Sequence, residues 1–208
     1  MSNALIFGTF NPVTNAHVNM GIVANNTLKP ECNVIYIPTN DAYIRNWKGY
    51  KDGNVLSGTQ RVTLLSDAVS KYGFTVSEVE ILGLTDGKTY NTISYFSFDD
   101  AVLCLGIDNI PQMKKWYRWQ ELLHKVKLLI FYRKGYDKTD EFMDEIMDIL
   151  SYSSGYEWAN LEQNNISSTE VRKLYKERNI DRRSMDRLKE IVPDNVFKYL
   201  EENEDVYF

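Results

Sequence analysis

Ala4 to Phe7, Val34 to Ile37, Phe74 to Ile81, Ala101 to Leu105 and Val126 to Tyr132 are short apolar runs rich in β-prone residues, and each is followed by a loop and a segment with helical spacing. Successive strands joined through helices pair in parallel, so this alternation predicts an α/β fold with a doubly wound parallel sheet and helices on both faces. The spacing predicts helices over Ala16 to Asn26, over Thr59 to Lys71, where Val62, Leu65 and Ala68 recur, over Ile110 to Leu123 and over Asp140 to Leu150. Beyond Asn165 the chain reads as a small C-terminal helical region with no strand, broken at Pro193, and its acidic EENED tail reads as a frayed, solvated end.

Composition narrows the function classes. With 208 residues, 43% of them hydrophobic, the chain can bury a sizeable core. A net charge of -5 without a block of Lys or Arg argues against a nucleic-acid or anionic-membrane surface, while a few placed cations can still bind small anions. Cys32 and Cys104 cannot build a disulfide framework, and with His17 and His124 as the only histidines no four-ligand zinc site can be assembled. The start MSNALIFGTF lacks a charged n-region and a long apolar stretch, and no run of 18 apolar residues occurs, so the expectation is a soluble, cytoplasmic chain. Without repeats or a linker it reads as one domain over 1–208, with an α/β core over about 1–163 and a helical part over about 164–208.

Two segments carry candidate chemistry. In GTFNPVTNAH, Gly8 follows the first strand and His17 falls in the first turn of the next helix, which places a compact loop at the carboxyl end of a parallel strand. Gly8 is expected to let the chain turn without a Cβ, Pro12 to stiffen the loop, and the helix N-terminus to turn N–H groups toward an anion. His17 can donate to a phosphate oxygen; its spacing fits a capping or packing role equally well. In ISSTEVR, Ser167, Ser168 and Thr169 compete for a helix cap, and Arg172 follows Ser168 by four residues and Thr169 by three, so its guanidinium can share their face. An ordinary cap followed by a solvated arginine fits the same fragment.

Together, GTFNPVTNAH and ISSTEVR resemble the paired signatures of the HxGH-type nucleotidyltransferase superfamily, and specifically of the nicotinate or nicotinamide mononucleotide adenylyltransferases, a Rossmann-like fold. IPTNDAYIRNWKGY, LGIDNIPQMKKWYRWQELL and VPDNVFKYLEENEDVY extend the resemblance along nearly the whole chain. It implies that ATP is held by Gly8, Thr9, Phe10, Thr14, His17, Gly106, Asp108, Arg133, Ser167, Ser168, Thr169 and Arg172, with His17 and Arg172 catalytic. It also implies that Asn11, Tyr43, Arg45, Asn91, Trp116 and Tyr117 hold the mononucleotide, with Trp116 stacking on the pyridine ring. Arg61 and Arg133 fall where relatives also carry Arg. The implied reaction joins a pyridine mononucleotide to the AMP part of ATP with release of pyrophosphate, magnesium riding on the phosphates and no protein-only metal site.

Beside the resemblance stand plainer readings: Trp116 and Trp119 as core on one helical stripe, Asp108 as a cap for a helix near Ile110, and Tyr43 and Arg45 as residues of a polar loop. The sequence also departs from the pattern. The first His of HxGH is Thr14 and its Gly is Ala16, as in eukaryotic TNxH loops, and the bacterial S-Y-T motif reads Thr89, Tyr90, Asn91. The choice between acid and amide therefore rests on mixed signals, with the central and terminal blocks favouring the acid. A phosphopantetheine-type adenylyltransferase and a non-catalytic nucleotide-binding or chaperone-like module are the rival readings, and homo-oligomer formation, in which the exposed Trp47 could take part, is left open.

Overall fold

A computed structural model describes residues 2–28, 32–48, 55–132, 139–161 and 165–203. Six strands, β1 (Ser2–Gly8), β2 (Cys32–Pro38), β3 (Thr75–Val76), β4 (Ala101–Gly106), β5 (Lys127–Phe131) and β6 (Tyr156–Ala159), form one sheet in the order β3-β2-β1-β4-β5-β6, every neighbouring pair parallel. The chain starts in the middle, walks to one edge through β2 and β3, then returns to β4 and walks to the other. The reversal lies between β1 and β4, so the crossovers leave in opposite directions there and open a crevice at the carboxyl ends. Register puts Ile6 beside Cys104, which brings Gly8 and Gly106, two residues further on, to the two lips of that crevice.

Helices cover both faces because side chains alternate along each strand. Ala4, Ile6, Tyr36, Val102 and Cys104 face one core with residues of α1 (Asn15–Thr27), α3 (Gly58–Val69), α7 (Ser168–Glu177), α8 (Arg182–Ile191) and α9 (Asp194–Glu202). Leu5, Ile37, Leu103, Leu105, Leu128 and Ile130 face the other, with residues of α4 (Thr89–Phe96), α5 (Trp119–Lys125) and α6 (Asp140–Leu150). Cys104 is a packing residue whose burial pushes its thiol pKa up. Among the described residues no helix is long and apolar enough to cross a membrane.

Several elements differ from expectation, each for a local reason. The run from Phe74 to Ile81 yields only Thr75–Val76 as strand, because the next backbone groups close a turn, Leu82 N–H to the Glu78 carbonyl and Leu84 N–H to the Val79 carbonyl. The edge strand β6 carries Glu157 and exposed Tyr156, so it lacks the apolar run that marks a central strand. The segment after Thr39 is no loop: Asp41–Lys48 form α2, whose first N–H groups, Ala42 at 2.8 Å and Tyr43 at 3.1 Å, donate to the Asn40 side chain. The stretch Ile110 to Leu123 is broken into 3-10 turns at Ile107–Asn109 and Pro111–Lys115 and then α5, since Trp116 is extended and Arg118 takes a left-handed φ of 52°. Trp116 and Trp119 therefore share no single helical stripe. At the far end, Glu201 and Glu202 belong to α9, while Glu204 and Asp205 lie outside the described residues, as does the side chain of Trp47.

Candidate active site

The loop after β1 is built around buried polar contacts. Its left-handed residue is Phe10, at φ 49°, not Gly8; Gly8 is needed because a Cβ there would come within 2.8 Å of the Phe10 ring. The Asn11–Pro12 peptide is cis. Asn11 is fully buried and its side-chain oxygen accepts from Leu56 N–H at 3.0 Å. Thr14 caps α1 in a reciprocal box: its hydroxyl accepts from His17 N–H, and its own N–H donates to His17 Nδ1 at 3.0 Å. A backbone N–H can only donate, so Nδ1 must accept, and the neutral ring carries its proton on Nε2. His17 thus serves as a capping residue and also lines the cavity.

That cavity, about 560 Å³, fits a small-molecule site and lies at the switch point. Of the residues singled out from sequence, Gly8, Ala16, His17, Tyr43, Thr89, Tyr90, Gly106, Asp108, Trp116 and Tyr117 line it. Thr9, Phe10, Asn11, Thr14, Arg45, Asn91, Ser167, Ser168, Thr169 and Arg172 are not among its lining residues, and Arg133 lies outside the described residues. Asp108 is no helix cap; it sits inside a 3-10 turn with its carboxylate folded back so that a Cβ on Gly106 would meet Oδ1 at 2.4 Å. The glycine two residues before this aspartate is what lets the carboxylate lie against the end of β4. Asn91 turns its amide to both Asp86 oxygens, at 3.1 and 3.0 Å.

The second segment reaches the first loop directly. Ser167 caps α7 by accepting from Glu170 N–H, Ser168 donates to the Pro12 carbonyl at 2.9 Å, and Arg172 donates to the Asn11 carbonyl at 2.9 Å and to the Thr169 hydroxyl at 3.0 Å. Arg172 and Thr169 share a face as their spacing of three requires. Two segments 161 residues apart in sequence are therefore fastened together beside one cavity, with Leu161 and Ile166 contributing its wall on that side.

Sequence reasoning passed over Thr39, Glu80 and Lys88, which also line the cavity. Glu80 is 1% exposed and takes the Thr92 hydroxyl at 2.8 Å and the Asn40 N–H at 3.3 Å. Its distant partners left no local signal. At the rim, Lys88 Nζ lies 5.0 Å from the Tyr117 ring centre and donates to Asp86 at 2.7 Å, and that hydrogen bond raises the Lys88 pKa. Arg118 stacks at 4.4 Å over the ring of Tyr90. Among the described residues no group of three or more His, Cys, Asp or Glu could hold a metal ion.

Comparison with known proteins places this geometry in a lineage. The sequence model of the Cytidylyltransferase-like family matches residues 5–174. The chain is 23% identical to a "Probable nicotinate-nucleotide adenylyltransferase" of Clostridium acetobutylicum over 96% of each chain, and 26% identical to one of Clostridium botulinum over 96% of this chain and 94% of the other. Its fold is that of Plasmodium falciparum nicotinic acid mononucleotide adenylyltransferase complexed with NaAD, with a TM-score of 0.70 at 18% identity, covering 97% of this chain and 96% of that one.

Proposed function

Since the chain belongs to the Cytidylyltransferase-like family, we propose that it is a nicotinate mononucleotide adenylyltransferase, moving AMP from ATP to the 5′-phosphate of the mononucleotide and releasing pyrophosphate. The observation that carries this reading is the fastening of the His17 loop to the Arg172 helix beside a cavity that also holds Asp108, Trp116 and Tyr117. The acid is taken over the amide because the relatives named above are nicotinate enzymes by name. One catalytic unit spans 1–208, the residues up to about 163 supplying the sheet and those from about 164 the strap across the phosphate loop, and it works in the cytoplasm.

In this reaction a mononucleotide phosphate oxygen attacks the α-phosphorus of ATP. A new P–O bond forms as the bond to the bridging oxygen breaks, and pyrophosphate departs with that electron pair. No side chain is a nucleophile, so the chain's task is to align two polyanions and to neutralise the charge that grows on the leaving group. Arg172 supplies positive charge for that second task and His17, neutral with its proton on Nε2, supplies a hydrogen-bond donor, while α1 turns its N-terminus to the phosphates. Trp116 and Tyr117 receive the pyridine ring, Gly106 and Asp108 the nucleotide sugars. Magnesium enters with ATP as part of the substrate.

Pyrophosphate release measured with MgATP and, separately, nicotinate mononucleotide, nicotinamide mononucleotide and phosphopantetheine tests the proposal. Release with nicotinate mononucleotide well above the others is the expected outcome. Turnover of phosphopantetheine alone, or ATP binding with no turnover of any acceptor, would sink it in favour of a phosphopantetheine enzyme or a non-catalytic module.

A further inference from the structure

Arg61 is the largest fully buried side chain of the described residues, 0% exposed, and it is not among those lining the cavity. Its guanidinium reaches four groups on three segments. Nε donates to the Leu56 carbonyl at 3.1 Å, Nη1 to the Thr9 carbonyl at 2.7 Å and Nη2 to the Thr39 carbonyl at 2.8 Å, while Nη2 also pairs with Asp41. The last rung between β1 and β2 is Gly8 beside Pro38, extended by Thr39 N–H to the Gly8 carbonyl at 2.8 Å. Arg61 thus takes over one residue beyond the sheet ladder and binds the next carbonyl of each strand. Asp41 carries the connection into the first turn of α2, the helix of Tyr43, and its other oxygen accepts from Gly58 N–H at 3.0 Å. Burial lowers the Arg61 pKa, and the Asp41 hydrogen bond works against that shift.

We propose that Arg61 is a positioning residue that fixes the spacing between the β1 loop and α2, and so between the two substrates, without touching either. The inference rests on the adenylyl-transfer reading above. A planar fork with five donors can serve three carbonyls and a carboxylate at once, and the compact ammonium of a lysine cannot. In-line attack between two bound polyanions depends steeply on distance, so the loss falls on the chemical step and not on either affinity.

Two variants, Arg61→Lys and Asp41→Asn, test this, with binding-competent sites counted by titration with a non-hydrolysable ATP analogue. For Arg61→Lys, kcat per competent site should fall about 10²-fold while the KM for ATP and for nicotinate mononucleotide each stay within about threefold. Amide hydrogen exchange should quicken together in residues 9–13 and 39–45, with β4 and β5 unchanged. Asp41→Asn keeps an acceptor in place, should lose about tenfold in kcat, and carries the same test if Arg61→Lys does not fold. Wild-type kcat per competent site, or quickened exchange in only one of the two segments, overturns the proposal. If the wild-type protein turns over no pyridine mononucleotide, the functional reading fails by itself, and the exchange experiment still decides whether Arg61 ties the segments together.

Discussion

On the β1 side of the cavity, polar groups are buried and hydrogen-bonded: Asn11, Thr14 and Arg61 are 0% exposed and Glu80 is 1% exposed, Thr14 bonding His17 within its own turn and the others bonding to other segments. Across the cavity the rim is open. Tyr117 is 49% exposed, Tyr90 and Tyr117 meet edge to face with ring centres 6.1 Å apart, and Lys88 and Arg118 lie over their faces. A buried network loses several satisfied groups when one member goes, whereas aromatic and cationic side chains at a surface can rearrange around a loss. On the adenylyl-transfer reading proposed above, the buried side aligns the phosphates and the open rim receives a flat ring that needs a face more than a fixed point.

This contrast can be broken or sharpened by substitution. The largest effect is expected at the two residues proposed to stabilise the leaving pyrophosphate: His17→Ala and Arg172→Ala should each lose about 10²- to 10³-fold in kcat, roughly 3 to 4 kcal/mol, with circular dichroism unchanged. Wild-type turnover in either would remove that residue from the mechanism. Next comes the buried polar network beside the cavity. Asn11→Ala strands the Leu56 N–H, and denaturant titration should show a loss of about 1–3 kcal/mol of stability together with reduced activity. A stability equal to wild type would mean that this network is as adaptable as the rim.

At the rim, Trp116→Ala should raise the KM for nicotinate mononucleotide about tenfold, roughly 1.4 kcal/mol, and leave the KM for ATP in place. An equal rise for ATP would show that the two sides are not divided between the two substrates. The smallest effect is expected for Lys88→Met, because its pairing with Asp86 is exposed: the thermal midpoint should match wild type, and a marked drop would show that the rim is structurally coupled to the core.

Much of this arrangement was legible along the chain because its signals are local. The apolar runs gave β1, β2, β4 and β5, and of the three residues competing for the cap in ISSTEVR it is Ser167 that caps α7. The glycine of Gly-x-Asp was legible as a residue type, but its reason, the Asp108 carboxylate lying where a Cβ would stand, needed coordinates. Tyr43 was read on a loop because α2 is short and polar, and its cap comes from Asn40, which is itself held by Glu80 forty residues away. Trp116 and Trp119 looked like one stripe because nothing in KKWYRW announces a left-handed arginine.

By itself the sequence determined the class of fold and the two segments that should meet: strand periodicity, helix spacing and caps are set by neighbours within a few residues, and the motif residues are written out in order. Only the tertiary structure decided what those residues lean on. It put the left-handed turn at Phe10, gave His17 its tautomer through Thr14, and buried Arg61 among the carbonyls of Leu56, Thr9 and Thr39. A buried charge is tolerable only where distant segments supply its partners, and no stretch of sequence carries the record of which ones will.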